Sequence, residues 1–168
     1  IQLGLTKAQS LQVSLDDLPP SLVASAGAFV TLTRGGKLRG CIGTLQAVEP
    51  LAQTVSDSAY GAAFADPRFE QLKGHELAPT RIEISVLSTM TSIEAKTRTQ
   101  LLAELEPGVD GLLIEDRRHR STFLPKVWEQ LPDPSEFLEQ LLMKAGLPQG
   151  HWSASMRCYR YRATSLSD

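Results

Sequence analysis

The chain has 168 residues, with 17 Lys and Arg against 19 Asp and Glu, a formal net charge of −2. At 42% apolar and 21% charged residues it is neither disordered nor collagen-like, and its length suits one domain, with room for an attached lobe. No run of about 20 apolar residues could cross a membrane, two cysteines make no disulfide framework, and the basic excess usual in nucleic-acid binders is missing.

Residues 1–27 read as an irregular lead-in without a basic-plus-apolar leader, broken at Asp16-Asp17-Leu18-Pro19-Pro20. Ala28 to Thr33 is rich in residues that suit a pleated surface. Gly35-Gly36 can supply the positive φ of a tight turn, and a return strand follows from Lys37 to about Cys41. From Glu49 to Ala65 the apolar residues Leu51, Val55, Ala59 and Ala62 recur at helical spacing, with Pro50 tolerated in the first turn. The Ala-rich face predicts close packing on a sheet, and Asp66-Pro67 ends the helix. Arg81 to Leu87 alternates as a half-buried strand does.

A second hairpin is expected over Val109 to Leu124, with Asp116-Arg117-Arg118-His119-Arg120 at its tip. Asp133-Pro134-Ser135-Glu136 carries a capping-box pattern, opening a helix that Gly146 ends and Pro148 follows. Met156 to Ala163 closes the pattern as a strand, with Tyr159 and Tyr161 alternating with Arg160 and Arg162. Strands arriving as hairpins with helices between them predict an α+β fold with a mainly antiparallel sheet.

Two segments stand out chemically. In Leu38-Arg39-Gly40-Cys41-Ile42-Gly43, glycines flank a cysteine that follows an arginine. Gly40 and Gly43 either permit backbone conformations closed to other residues or let another group approach closely. Thiolates form most readily beside cations and are the reactive form, which makes Cys41 a candidate nucleophile. Against that stands the commoner case of a free cysteine acting as a small buried hydrophobe. In Asp66-Pro67-Arg68-Phe69 a stiffened loop presents a carboxylate and a fork-shaped cation. Asp66 and Arg68 either contact a carboxylate or phosphate ligand, or serve as a cap on backbone amides and an internal ion pair. His75, His119 and His151 are isolated, so no metal site is expected. The sequence has no P-loop, no dinucleotide-binding glycine motif and no acyl-transfer serine elbow, and no cofactor is expected.

The hexapeptide at 38–43, preceded by Phe29-Val30-Thr31-Leu32, resembles the signature of the AMMECR family, whose bacterial members are called AmmeMemoRadiSam system protein A. The likeness continues through Pro50-Leu51, Ala62-Ala63, Asp66-Pro67-Arg68-Phe69 and Ile82-Glu83-Ile84-Ser85-Val86-Leu87. It extends over Pro107-Gly108-Val109-Asp110-Gly111-Leu112, Leu124-Pro125 and Lys144-Ala145-Gly146-Leu147-Pro148. The resemblance implies one α+β domain in two unequal lobes with a cleft between them, and a helix ahead of Ile1. It also implies association with a Memo-like protein and a radical-SAM protein. It marks Arg39, Gly40, Cys41, Gly43, Asp66 and Arg68 as characteristic positions without assigning roles.

Three functional readings follow. The first is a cytoplasmic binding or accessory component working with those two proteins. The second is a thiol-dependent enzyme using Cys41 on a small anionic substrate held by Arg39 or Arg68. The third is an RNA-binding module using a local basic surface of Arg117, Arg118, Arg120, Arg157, Arg160 and Arg162 with the nearby tyrosines; the missing overall basic excess disfavours it.

Overall fold

In a computed structural model that describes residues 1–168, the lead-in is not wholly irregular. It carries two short helices, α1 (Gln2–Lys7) and α2 (Pro20–Val23), neither with a buried residue. With so few apolar positions at helical spacing, short turns of this kind leave no periodic signal. The predicted hairpin follows. Gly35 and Gly36 take φ of 57° and 75°, joining β1 (Ala28–Arg34) to β2 (Lys37–Thr44) as an antiparallel pair. β2 runs three residues past the expected end at Cys41.

The chain divides into two compact units, Ile1–Leu87 with Thr164–Asp168, and Ser88–Ala163. The first holds α3 (Leu51–Phe64), α4 (Gly74–Leu77) and β3 (Thr80–Leu87). Its sheet has the order β2-β1-β3-β8, β8 being Ala163–Ser167 near the chain's end. Alternation sets the faces: Ala28, Val30 and Leu32 are fully buried and register with Thr44, Ile42 and Gly40 on one side and with Val86, Ile84 and Ile82 on the other. Val30 and Leu32 pack with Ala62, Ala63 and Leu72. The small residues Ala62 and Ala63 let α3 lie close to the sheet.

The second unit contains β4 (Thr91–Ile93), α5 (Arg98–Glu104), β5 (Gly111–Asp116), β6 (His119–Phe123), a 3-10 turn (Pro125–Glu129), α6 (Pro134–Lys144) and β7 (Arg157–Tyr161). Its antiparallel sheet runs β4-β7-β5-β6. The expected hairpin tip tightens to Arg117-Arg118, with Arg117 at φ 56°. Asp133 caps α6 by accepting from the Glu136 amide at 2.9 Å, and Gly146 stands just past its end at φ 74°. Phe137, Leu138, Leu141 and Leu142 form the apolar stripe of α6, and the Trp128 and Phe137 rings stack with centroids 3.8 Å apart.

The fold is thus α+β with two antiparallel sheets flanked by helices. The hairpins at 28–44 and 111–123 belong to different sheets. Local pattern identifies a hairpin but not which sheet it joins, because sheet membership depends on pairings far apart in sequence.

Candidate functional site

The hexapeptide lies in β2, an edge strand, and its first notable residue is displaced by a bulge. Thr33 pairs with Leu38 and Leu32 with Gly40, so Arg39 is the extra residue. Bulges re-aim side chains. Here the Arg39 guanidinium grips Glu76 of α4 through Nε and Nη2, at 3.2 and 3.0 Å. Arg34 adds a bond of 2.8 Å to the same carboxylate, and the Lys73 amide another of 2.9 Å. Arg39, followed by the Lys73 amide, holds the Glu76 carboxyl down at about 2 despite burial. The Arg39 Nη1 atom is buried and has no partner.

Gly40 faces α3. A Cβ there would stand 2.0 Å from the backbone oxygen of Ala62, so the residue is glycine because the helix backbone comes too close for anything larger. Gly43 is similar: a Cβ would meet the Ala28 oxygen at 2.3 Å and the Phe29 ring at 2.5 Å. Neither has positive φ, and β2 passes through both. Of the two roles predicted for these glycines, the structure shows close approach. The irregularity sits at Arg39.

Cys41 and the loop after α3 meet through the backbone. The Cys41 amide donates to Asp66 Oδ2 at 2.9 Å, and its carbonyl accepts from Arg68 Nη2 at 3.2 Å. Asp66 is 5% exposed and also accepts from the Arg68 amide, Nε and Nη2, at 3.1, 2.9 and 2.7 Å. The Arg68 guanidinium is the main reason the Asp66 carboxyl lies far below the usual carboxylate range, and Asp66 in turn raises Arg68. The two side chains act as a surrogate neighbouring strand, one accepting and one donating at the open edge of β2. The Cys41 thiol pairs with the Thr31 hydroxyl at 3.3 Å.

Asp66 and Arg68 therefore come to Cys41, while Arg39 turns to Glu76. A hollow of about 310 Å³ lies beside Arg39, lined also by Phe69, Lys73 and His75. Glu76 and Thr31 were not singled out by sequence reasoning: Glu76 sits in no motif and is 37 residues from Arg39, and Thr31, within the segment that precedes the hexapeptide, was read only as a strand residue.

The remaining histidines belong to the second unit. His119 Nδ1 bonds the Ala145 carbonyl at 2.8 Å, and His151 Nε2 bonds Asp116 at 2.6 Å. Ser155, His151 and Ser153 converge on Asp116 and keep its carboxyl near 2, the Ser155 hydroxyl contributing most. Three groups on one carboxylate form a hub that ties down a loop; a nucleophile–base–acid chain would be linear. No cluster of His, Cys, Asp and Glu is arranged to hold a metal. Of the late arginines, Arg120, Arg157, Arg160 and Arg162 each pair with a carboxylate.

Known proteins share both the sequence and the architecture. A protein of Methanothermobacter thermautotrophicus is 39% identical over 150 residues, covering 88% of this chain and 78% of that protein. A protein of Thermofilum pendens is 35% identical over 159 residues, covering 88% and 75%. The crystal structure of the uncharacterised protein PH0010 from Pyrococcus horikoshii matches all of this chain and 85% of its own, with a TM-score of 0.92 at 31% identity. The sequence profile described as AMMECR1 matches residues 1–166, and the chain belongs to that family.

Proposed function

We propose that this chain is a binding or accessory component, working alongside Memo-like and radical-SAM proteins, and not a covalent catalyst. One observation carries the reading. The Cys41 thiol has a threonine hydroxyl for its partner, while the acid beside it, Asp66, is held as a carboxylate by Arg68 and by the Cys41 amide. Nucleophilic cysteines work with a base that takes the thiol proton and a third group that orients that base. A carboxylate locked far below its ordinary range is a poor proton acceptor near neutral pH.

The test compares untargeted metabolite profiles of a deletion strain and its parent, with the strain complemented by the wild-type chain or by Cys41→Ser. Cys41→Ser is expected to restore the parental profile as well as the wild type does. A folded Cys41→Ser protein that leaves the deletion profile unchanged overturns the reading in favour of thiol chemistry. Co-sedimentation with the Memo-like and radical-SAM proteins of the same genome tests the partners: a complex at micromolar concentration is expected, and its absence removes that part.

A further inference from the structure

Core-facing positions on α3 carry an anomaly. The buried stripe runs Leu51, Thr54, Ser58, Gly61 and Ala62. A helix packed only for stability would put bulky apolar groups at the second and third of these. Instead Thr54 and Ser58 leave a hollow of about 400 Å³ between α3, the end of β2 and the loop after it. That volume falls in the range of small-molecule sites.

Several of its polar groups keep bonding capacity directed into the hollow. Ser58 is 5% exposed as a residue and lines the hollow, and its hydroxyl, which bonds no protein group, opens onto that space. A hydroxyl that opens onto a hollow with no protein partner has both its donor and its acceptor capacity free for a ligand. Thr54 donates to the Glu49 carbonyl only at 3.5 Å. Gly43 lies two residues beyond Cys41 on the same edge, so its amide and carbonyl face outward, beyond the Asp66–Arg68 surrogate strand.

Charge then selects the ligand. Glu49 and Asp57 line the hollow, and no Lys, Arg or His does. One Asp57 oxygen accepts from the neutral Gln53 amide at 3.0 Å, which fixes the carboxylate without neutralising it. Gln53 is itself held by the Val13 amide and the Leu11 carbonyl, at 3.0 and 3.2 Å. Ile42 and Val48 supply the apolar lining.

We propose that this hollow binds an ammonium group on a short apolar chain. The ammonium donates to Asp57 and to the Ser58 hydroxyl, with Glu49 adding charge, and the chain lies on Ile42 and Val48. Cys41, Asp66 and Arg68 do not line it, so this site stands or falls separately from the accessory-component reading.

Butylammonium is the probe, with butanol and butyrate as neutral and anionic controls, followed by amide NMR on the full chain. Saturable shifts at Gly43, Asp57 and Ser58 are expected with butylammonium and not with either control. Asp57→Asn should weaken binding about tenfold, as loss of a charge-assisted bond does. Ser58→Ala suits a helix, so it should keep or raise the melting temperature while weakening binding severalfold. Comparison with the methylamide of Nα-acetyl-lysine distinguishes the source: tighter binding than butylammonium points to a lysine side chain, weaker binding to a free amine. No saturable shift at those three amides, equal response to butanol, or unchanged affinity in Asp57→Asn overturns the proposal.

Discussion

Asp66 shows how one side chain can settle the reading of a motif. A buried carboxylate needs partners, and this one takes bonds from two backbone amides and a guanidinium. Asp66→Ala would leave the Cys41 amide unpaired at the edge of β2 and free Arg68. We expect a loss of about 2–3 kcal/mol in urea denaturation, as for other buried groups stripped of a charged partner. Arg68 has a side chain 55% exposed, so Arg68→Ala should cost less, about 1 kcal/mol. Equal losses for the two variants would show that Asp66 does not hold the β2 edge. The amide cap and internal ion pair were one of two readings open in the sequence, and they are what the structure contains. Proline after an aspartate and before an arginine made the pairing legible. The recipient, the Cys41 backbone 25 residues earlier, was not, because backbone groups look alike in every sequence.

Among elements, the contact between β2 and α3 governs the site. Gly40 and the Ala-rich face of α3 were both visible as sequence features, and the structure joins them: the Ala62 oxygen occupies the space a Cβ at 40 would need. Gly40→Ala is therefore expected to destabilise by about 2 kcal/mol or more, the range of overpacked cores, and to shift the urea midpoint accordingly. At Gly36, where nothing lies within 4 Å of the Cβ position, alanine should cost only the strain of its positive φ, about 1 kcal/mol. A Gly40→Ala midpoint at or above that of Gly36→Ala would show that α3 can retreat from the strand. The hollow beside Ser58 escaped the sequence reading for the converse reason. Serine and threonine inside a helical stripe look like mild substitutions, and only the depth of the neighbouring strand reveals that space was left.

Across the whole molecule, the pattern of hairpins and capped helices identified the α+β class, while β4, α5 and β8 left no usable signal. β4 has three residues, α5 buries only Leu101, and β8 buries none, so periodicity had little to act on. What the two units share is a dependence on depressed carboxylates. Asp66 and Glu76 serve the first unit, with Glu76 near 2 because of Arg39; Asp116 serves the second, also near 2, because of Ser155 and His151. Each carboxyl binds its proton less readily folded than unfolded, so the unfolded chain takes up more protons in acid and stability rises with pH there. The contribution is complete above the ordinary values of 4.5 for Glu76 and 3.8 for Asp116, and it drains away as pH falls toward 2. Melting temperature measured from pH 7 to pH 2 should hold level with respect to these groups down to about pH 5 and then fall steeply. Glu76→Gln should lower the plateau and flatten the descent, since its contribution is already gone at neutral pH. A wild-type curve that stays level to pH 2.5, or a Glu76→Gln curve as steep as the wild type, would mean that these ion pairs do not link protonation to folding.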